Sequence, residues 1–199
     1  MAHVWQRTVT AMGHEHNACM RLFDPERSPM AYRFDLLFYG IAPLCLVLLL
    51  WAYGPSEAKA ELLVLALIGG FIWTFIEYAL HRFVLHGLPP FSQWHEQHHL
   101  KPNARICLPT AMSLSLIQVL VFLPCWLLLD FWRACSLTLG VLVGYAIYTH
   151  VHHALHHAKL SNPWLIERKI YHAQHHARHA RPGHYGVTTL FWDRLFGTR

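Results

Sequence analysis

Residues 61–86 read ELLVLALIGGFIWTFIEYALHRFVLH. The stretch opens with a long, mostly apolar run and ends with two histidines, His81 and His86. A helix of about 20 apolar residues is long enough to cross the roughly 30 Å hydrocarbon core of a bilayer. The sequence therefore predicts a membrane-spanning helix, approximately Glu61–Leu80, with imidazoles where the apolar run ends.

Three further apolar runs support a multi-pass protein. They cover roughly Phe34–Tyr53, Thr110–Leu129 and Ser136–Val151. The last run is short, so its helix either begins with a polar end or continues into water. Short turns at 53–56 and 130–134 group the runs in two hairpins. Because backbone polar groups in lipid must be satisfied internally, we predict an all-α membrane protein with four transmembrane helices.

The composition also indicates a lipid environment and one membrane domain. The chain has 199 residues, of which 54% are hydrophobic and 14% charged, whereas about 25% is usual in soluble domains. The net charge of +5 is attributed to topology and anionic headgroups, and no nucleic-acid partner is predicted. Five cysteines without a CxxC pair indicate no disulfide framework. We divide the chain into a polar lead-in, 1–33, and a membrane domain, 34–199.

The distribution of basic residues predicts the orientation. Of 16 lysines and arginines, only Lys59 and Arg133 lie in the hairpin turns, which leaves 14 in the N-terminal segment, the middle loop and the C-terminal segment. By the positive-inside rule these three segments face the cytoplasm. The dense histidine clusters lie at or beside the same segments. We therefore expect a helical cap carrying them on the cytoplasmic side of the membrane.

Histidines carry the chemical signal of this sequence. There are 18, and 15 of them lie between His81 and His184. Residues three and four apart share one face of a helix, so an HxxHH triplet forms an imidazole patch. Neutral imidazole binds iron, zinc, copper and nickel, and the clusters hold enough ligands for two metal ions. The four clusters are His81/His86, His95/His98/His99, His152/His153/His156/His157 and His172/His175/His176.

Some neighbouring residues are candidates for hydrogen bonds to the rings of the metal-binding histidines. Glu77 lies four residues before His81, where it either orients that ring or pairs with Arg82. Such partners fix the ring tautomer of metal-binding histidines. His150 and His184 are assigned to outer or surface positions. The candidates that would contact the ligands without binding metal themselves are Glu77, His153, His157 and His179.

The motifs together resemble the fatty acid hydroxylase superfamily, which includes sterol desaturases and fatty acid 2-hydroxylases. The matching stretches are EYALHRFVLH at 77–86, HxxHH at 95–99 and 172–176, and HxxxHH at 152–157. The segment GVTTLFWDRLFGT at 186–198 is similar to the end of fatty acid 2-hydroxylases. The resemblance covers about 36–198, nearly the whole chain.

The resemblance implies a di-iron centre that uses O2 to insert oxygen into a C–H bond of a lipid acyl chain, often at C2. It also implies membrane location, and zinc can replace iron on purification. No cytochrome b5-like domain is recognised upstream, so a separate ferredoxin or cytochrome b5-like electron donor and a bacterial inner membrane are expected. The ten ligands it implies are His81, His86, His95, His98, His99, His152, His156, His172, His175 and His176.

Several hypotheses about the substrate and the role of the site stay open. A carotenoid or sterol hydroxylase or desaturase would use the same centre. A membrane metal-binding or transport protein is the alternative from another class, although transport sites usually lie near the midplane on broken helices. A structural zinc site is a third. Basic residues flanking the clusters could attract an anionic lipid head: Arg82, Lys101, Arg105, Arg168, Lys169, Arg178 and Arg181.

Overall fold

The computed structural model describes residues 26–177 and 183–199. Within these ranges the chain forms helices joined by short connections. The helix Ser56–Leu85 ends in a π-helical turn, Leu80–Leu85, and the helix Thr110–Leu128 contains another, Gln118–Phe122. The helices are α1 Pro29–Tyr53, α2 Ser56–Leu85, α3 Phe91–Leu100, α4 Thr110–Leu128, α5 Phe131–His157, α6 Pro163–His176 and α7 Phe191–Leu195.

Helices α1, α2, α4 and α5 are each long and apolar enough to cross a membrane. This confirms the prediction of an all-α integral membrane protein with four spans. Helix α1 begins at Pro29, inside the predicted lead-in, because Ser28 caps it by accepting a hydrogen bond from the Ala31 amide at 3.2 Å. Residues 1–25 of that lead-in lie outside the described residues.

The fourth helix, α5, is longer than the apolar run Ser136–Val151 from which it was predicted. Asp130 caps α5 by accepting hydrogen bonds from the amides of Trp132 and Arg133. The helix then continues through His157, beyond the apolar residues. The polar extension carries the third histidine cluster into the cap, which is one of the two arrangements that the sequence allowed.

Helix α5 is the centre of the bundle and packs most extensively against α2 and then α1. The α2–α5 contact is close because glycines face each other there. A Cβ built on Gly140 would lie 1.9 Å from the Ala66 carbonyl oxygen, and one on Gly69 would lie 2.2 Å from the Leu137 oxygen. Small residues permit such backbone approach between membrane helices. This contact brings together the helix ends that carry the first and third histidine clusters.

Replacing Gly140 with alanine should therefore destabilise the bundle. The added methyl group meets backbone atoms, which cannot move aside as a side chain can, so we expect a loss of about 1–3 kcal/mol. The measurement is the midpoint of thermal unfolding in detergent. Gly70→Ala is the matched control, because its Cβ would lie 3.7 Å from the nearest atom and should leave the midpoint nearly unchanged. Equal midpoints for the two variants would contradict the close contact.

The remaining helices form the predicted cap at one end of the bundle. Helix α3 follows α2 after a short turn, and α6 follows α5 after residues 158–162. Residues 183–199, which include α7, fold back against α2. The three segments close over the histidine-bearing ends of α2 and α5.

Candidate metal centre

Ten histidine rings meet in two adjacent groups at this end of the bundle. Each group gathers rings from three helices, and within a group the candidate ligand atoms lie within 4.8 Å of one another. His152 adjoins the second group, with its Nε2 3.2 Å from that of His156. The first group is His81, His86, His95, His99 and His175, and the second is His98, His156, His172 and His176.

The π-helical turn in α2 explains how the first cluster converges. His81 and His86 are five residues apart, a spacing that points to different faces of a regular α-helix. A π-helix has more residues per turn, so residues five apart come closer to one face. The two ring centroids lie 5.3 Å apart. The sequence left open whether a bend would bring them together, and the wider turn does so.

The two HxxHH triplets do not each serve one group. On α3, His95 and His99 belong to the first group and His98 to the second. On α6, His175 belongs to the first group, whereas the other two rings of the triplet belong to the second. The groups meet where His99 stacks on His176, with ring centroids 4.3 Å apart. Both triplets therefore bridge the two groups.

The spacing of the ring nitrogens fits metal binding. Nε2 atoms approach one another at 2.9 Å between His81 and His95 and at 2.9 Å between His156 and His172. A metal ion with nitrogen ligands at about 2.0–2.1 Å holds neighbouring ligand atoms roughly 3 Å apart. Neither ring nitrogen of His98 has a hydrogen-bond partner among the described residues, although both are buried. Such a donor set is suited to divalent transition metals.

The same burial keeps these rings in the form that binds metal. Burial lowers the pKa of His98 to about 2, and the nearby His156 ring lowers it further when charged. Burial also lowers the pKa of His99 to about 3, with His176 as the next cause. Neutral imidazole has a free lone pair, whereas imidazolium has none. The pocket therefore presents neutral ligands at physiological pH.

Glu77 has different partners from the two that the sequence suggested. Its Oε1 accepts hydrogen bonds from the amides of Val187 and Thr188, both at 2.8 Å, and its Oε2 accepts from the Thr188 hydroxyl. His81 instead donates from Nδ1 to the Tyr185 carbonyl. Arg82 donates to the Tyr78 hydroxyl at 2.7 Å. The C-terminal residues that bind Glu77 are about 110 positions away, so local spacing could not indicate them.

The other candidates lie beside the two groups rather than in them. His153 and His157 stack on each other, with centroids 4.8 Å apart, and both contact Tyr32. They occupy the face of α5 next to the one that carries His152 and His156. His150 is exposed on α5, and His179 lies outside the described residues.

A cavity of about 180 Å³ extends from the first histidine cluster into the bundle. Most of its lining is apolar, and two lining residues, Leu80 and Leu116, are 43% and 42% exposed. Asp35, which is 4% exposed, also lines it. An ionisable residue inside a span is a signal of function that the sequence contained and our prediction missed. The histidines at its edge are His81, His95, His98 and His152.

The structure does not place the predicted basic anchors at this cavity. None of its described lining residues is lysine or arginine. Arg168 is buried elsewhere, with its guanidinium over the Trp164 ring and near Glu167. Arg178 and Arg181 lie outside the described residues, whereas Arg82, Lys101, Arg105, Arg168 and Lys169 are described and do not line the cavity.

Fold and site together define a four-span membrane protein with a histidine-rich site able to hold metal ions. The family model for fatty acid hydroxylase matches residues 66–198, and the chain belongs to this family.

Named relatives agree with that assignment. The chain is 32% identical to the ceramide very long chain fatty acid hydroxylase of Schizosaccharomyces pombe, over 66% of this chain and 41% of that protein. It is 30% identical to a dihydroceramide fatty acyl 2-hydroxylase of Arabidopsis thaliana, over 81% and 73%, and 32% identical to human fatty acid 2-hydroxylase, over 73% and 42%. The chain therefore spans about two fifths of the length of the fission yeast and human relatives.

A solved structure shows the same fold. It is described as full-length scs7p with only the hydroxylase domain visible. The TM-score is 0.69 at 26% sequence identity, and the match covers 87% of this chain and 67% of that one.

Proposed function

We propose that this protein is an O2-dependent di-iron hydroxylase of lipid acyl chains, similar to fatty acid 2-hydroxylases. The observation that carries the proposal is an apolar cavity that reaches a cluster of ten imidazoles, four of which line it. An alkyl C–H bond has no acidic proton for a general base, so its hydroxylation requires a redox metal or cofactor. Iron bound by both histidine groups would supply that redox chemistry with O2. The names of the relatives support an acyl chain as the substrate and C2 as the position.

The protein's own residues would bind the metal ions, hold the acyl chain and exclude water. The ten histidines would hold two ions through neutral ring nitrogens. The apolar lining would take up the acyl chain and exclude water from the reacting carbon, because burial of CH2 groups is favourable by about 0.8 kcal/mol each. Leu80 and Leu116 support access from the bilayer, since both line the cavity, are about two fifths exposed and lie on helices long and apolar enough to cross a membrane.

The charges around the cavity favour a lipid with a neutral, hydrogen-bond-donating head over a free fatty acid. Asp35 accepts one described hydrogen bond, from the Thr110 hydroxyl at 2.7 Å, and no described cation lines the cavity to pair with a carboxylate. Burying an unpaired anion is costly. We therefore expect conversion of amide-linked acyl chains to exceed that of free fatty acids by roughly tenfold or more, about 1.4 kcal/mol. Parallel assays on the two lipid classes measure this, and a preference for the free acid would contradict it.

The cellular setting follows from the charge pattern of the sequence. Fourteen of 16 basic residues lie in the N-terminal, middle and C-terminal segments, which supports a cytoplasmic location for these segments and the metal centre. The division into a lead-in, 1–33, and a hydroxylase domain, 34–199, is part of the same proposal. A bacterial inner membrane and a separate ferredoxin or cytochrome b5-like donor remain predictions.

Mass spectrometry of lipids from an expressing host, supplied with iron and a reductant, tests the proposal. We expect acyl chains heavier by one oxygen at C2, with the oxygen derived from labelled O2. A host expressing the His98→Ala variant is the control. Altered carotenoids or sterols would identify the alternative substrates. Metal uptake by proteoliposomes without O2 consumption would instead identify a transporter and refute the hydroxylase.

A further inference from the structure

The last described residues, 183–199, form a strap that lies against α2 and reaches the first histidine group. The Trp192 indole donates a hydrogen bond to the Thr74 hydroxyl at 3.0 Å. The two ends of the strap are joined, because the His184 amide donates to the Thr198 carbonyl at 2.7 Å. The strap is therefore attached to α2 and closed on itself.

Two backbone carbonyls of the strap orient rings of the first group. The Gly183 oxygen accepts a hydrogen bond from His175 Nδ1 at 2.8 Å, and the Tyr185 oxygen accepts one from His81 Nδ1. A carbonyl only accepts, so the proton of each neutral ring lies on Nδ1 and the Nε2 lone pair is free. Such contacts set the tautomer and ring direction of metal-binding histidines.

A buried carboxylate holds the Tyr185 carbonyl in place. Asp193 is fully buried and accepts hydrogen bonds from the Tyr185 amide at 3.0 Å and the Gly186 amide at 2.7 Å. It also accepts from the Thr198 hydroxyl at 2.7 Å. Gly186 has no room for a side chain, because a Cβ there would lie 1.9 Å from the Thr189 oxygen. The position of the Tyr185 carbonyl thus depends on Asp193.

Three rings of the second group have no such support among the described residues. The Nδ1 atoms of His98, His172 and His176 are buried and have no hydrogen-bond partner among the described residues. Imidazoles without a partner on the second nitrogen are not fixed in tautomer or ring direction by such a contact. The two groups therefore differ in what holds their rings, although both contain enough nitrogen ligands for an ion.

We propose that Asp193 is a positioning residue for the first metal position, acting through the strap, and that it makes the two positions unequal. The proposal rests on the metal pair of the proposed function. Asp193 contacts neither the metal-binding rings nor the cavity; it holds the Tyr185 carbonyl that aims His81 and, through Thr198, the end of the strap that carries the Gly183 carbonyl. Disturbing it weakens the first position and spares the second.

Cobalt titration of the detergent-purified, chelator-stripped full chain tests this proposal. The wild type should bind two Co²⁺ per chain, followed by visible absorption and metal content. Asp193→Asn removes one hydrogen-bond acceptor without changing size. It should weaken the affinity for one of the two Co²⁺ ions by about 10–100-fold, the usual effect of changing a residue that supports a metal ligand. Arg194→Gln, a neighbouring exposed site, is the matched control and should keep both equivalents.

Double variants assign the weakened equivalent. Asp193→Asn with His175→Ala should retain one tight Co²⁺, whereas Asp193→Asn with His156→Ala should retain none. The reverse pattern, or equal weakening of both equivalents by Asp193→Asn, would overturn the proposal, as would no weakening. If that variant aggregates, Thr198→Val removes one hydrogen bond to Asp193 and should weaken the same equivalent less. A wild type that binds fewer than two ions would refute the metal pair itself, and with it this role.

Discussion

His98→Ala and His175→Ala should each reduce hydroxylation by more than about a hundredfold while leaving the protein in the membrane. Changing a residue that supports a metal ligand lowers metal affinity or activity by about 10–100-fold, and loss of a ligand itself should lower it more. His98 lies in the second group and His175 in the first, so each variant removes support from a different ion. Both rings lie in the cap rather than in a span, which is why insertion should persist.

Product formation and metal content together measure this effect. Each variant should retain about one metal ion per chain and elute from gel filtration as the wild type does. His150→Ala is the control, because His150 is exposed on α5 outside both groups. Full product formation by both ligand variants would exclude these two rings as ligands.

Leu116→Trp should block the cavity and reduce kcat/KM by at least about tenfold, with both metal ions retained. Leu116 lines the cavity from α4 and is also exposed, so a larger ring there would fill the route that an acyl chain takes. The substitution should leave the metal centre intact, because α4 contributes no histidine to either group. The loss should grow with acyl chain length, since longer chains need more of the cavity.

Leu120→Trp provides the matched comparison on the same helix. Leu120 is 67% exposed and is not part of the cavity lining. The same substitution there adds the same bulk to the lipid-facing surface and should leave kcat/KM unchanged. Equal kinetics for the two variants would mean that the substrate reaches the centre by another route.

The spans could be predicted because they depend on a local property. An apolar run of sufficient length in one stretch of chain decides whether a helix crosses a bilayer. Boundaries were less accurate, since the caps Ser28 and Asp130 start α1 and α5 five residues before the predicted apolar runs. The partners of Glu77 were not predictable, because they are amides contributed by the distant strap.

By itself, the sequence determined four membrane spans and the histidine clusters beside them, since apolar length and helical spacing are properties of a few turns of chain, and the family resemblance then implied the set of ten ligands. Only the tertiary structure decided how those rings divide. The π-helical turn brings His81 towards His86, and the packing of α2 on α5 through Gly140 sets one cluster beside another. Ring positions in space depend on how helices pack, and that packing joins residues more than 100 positions apart.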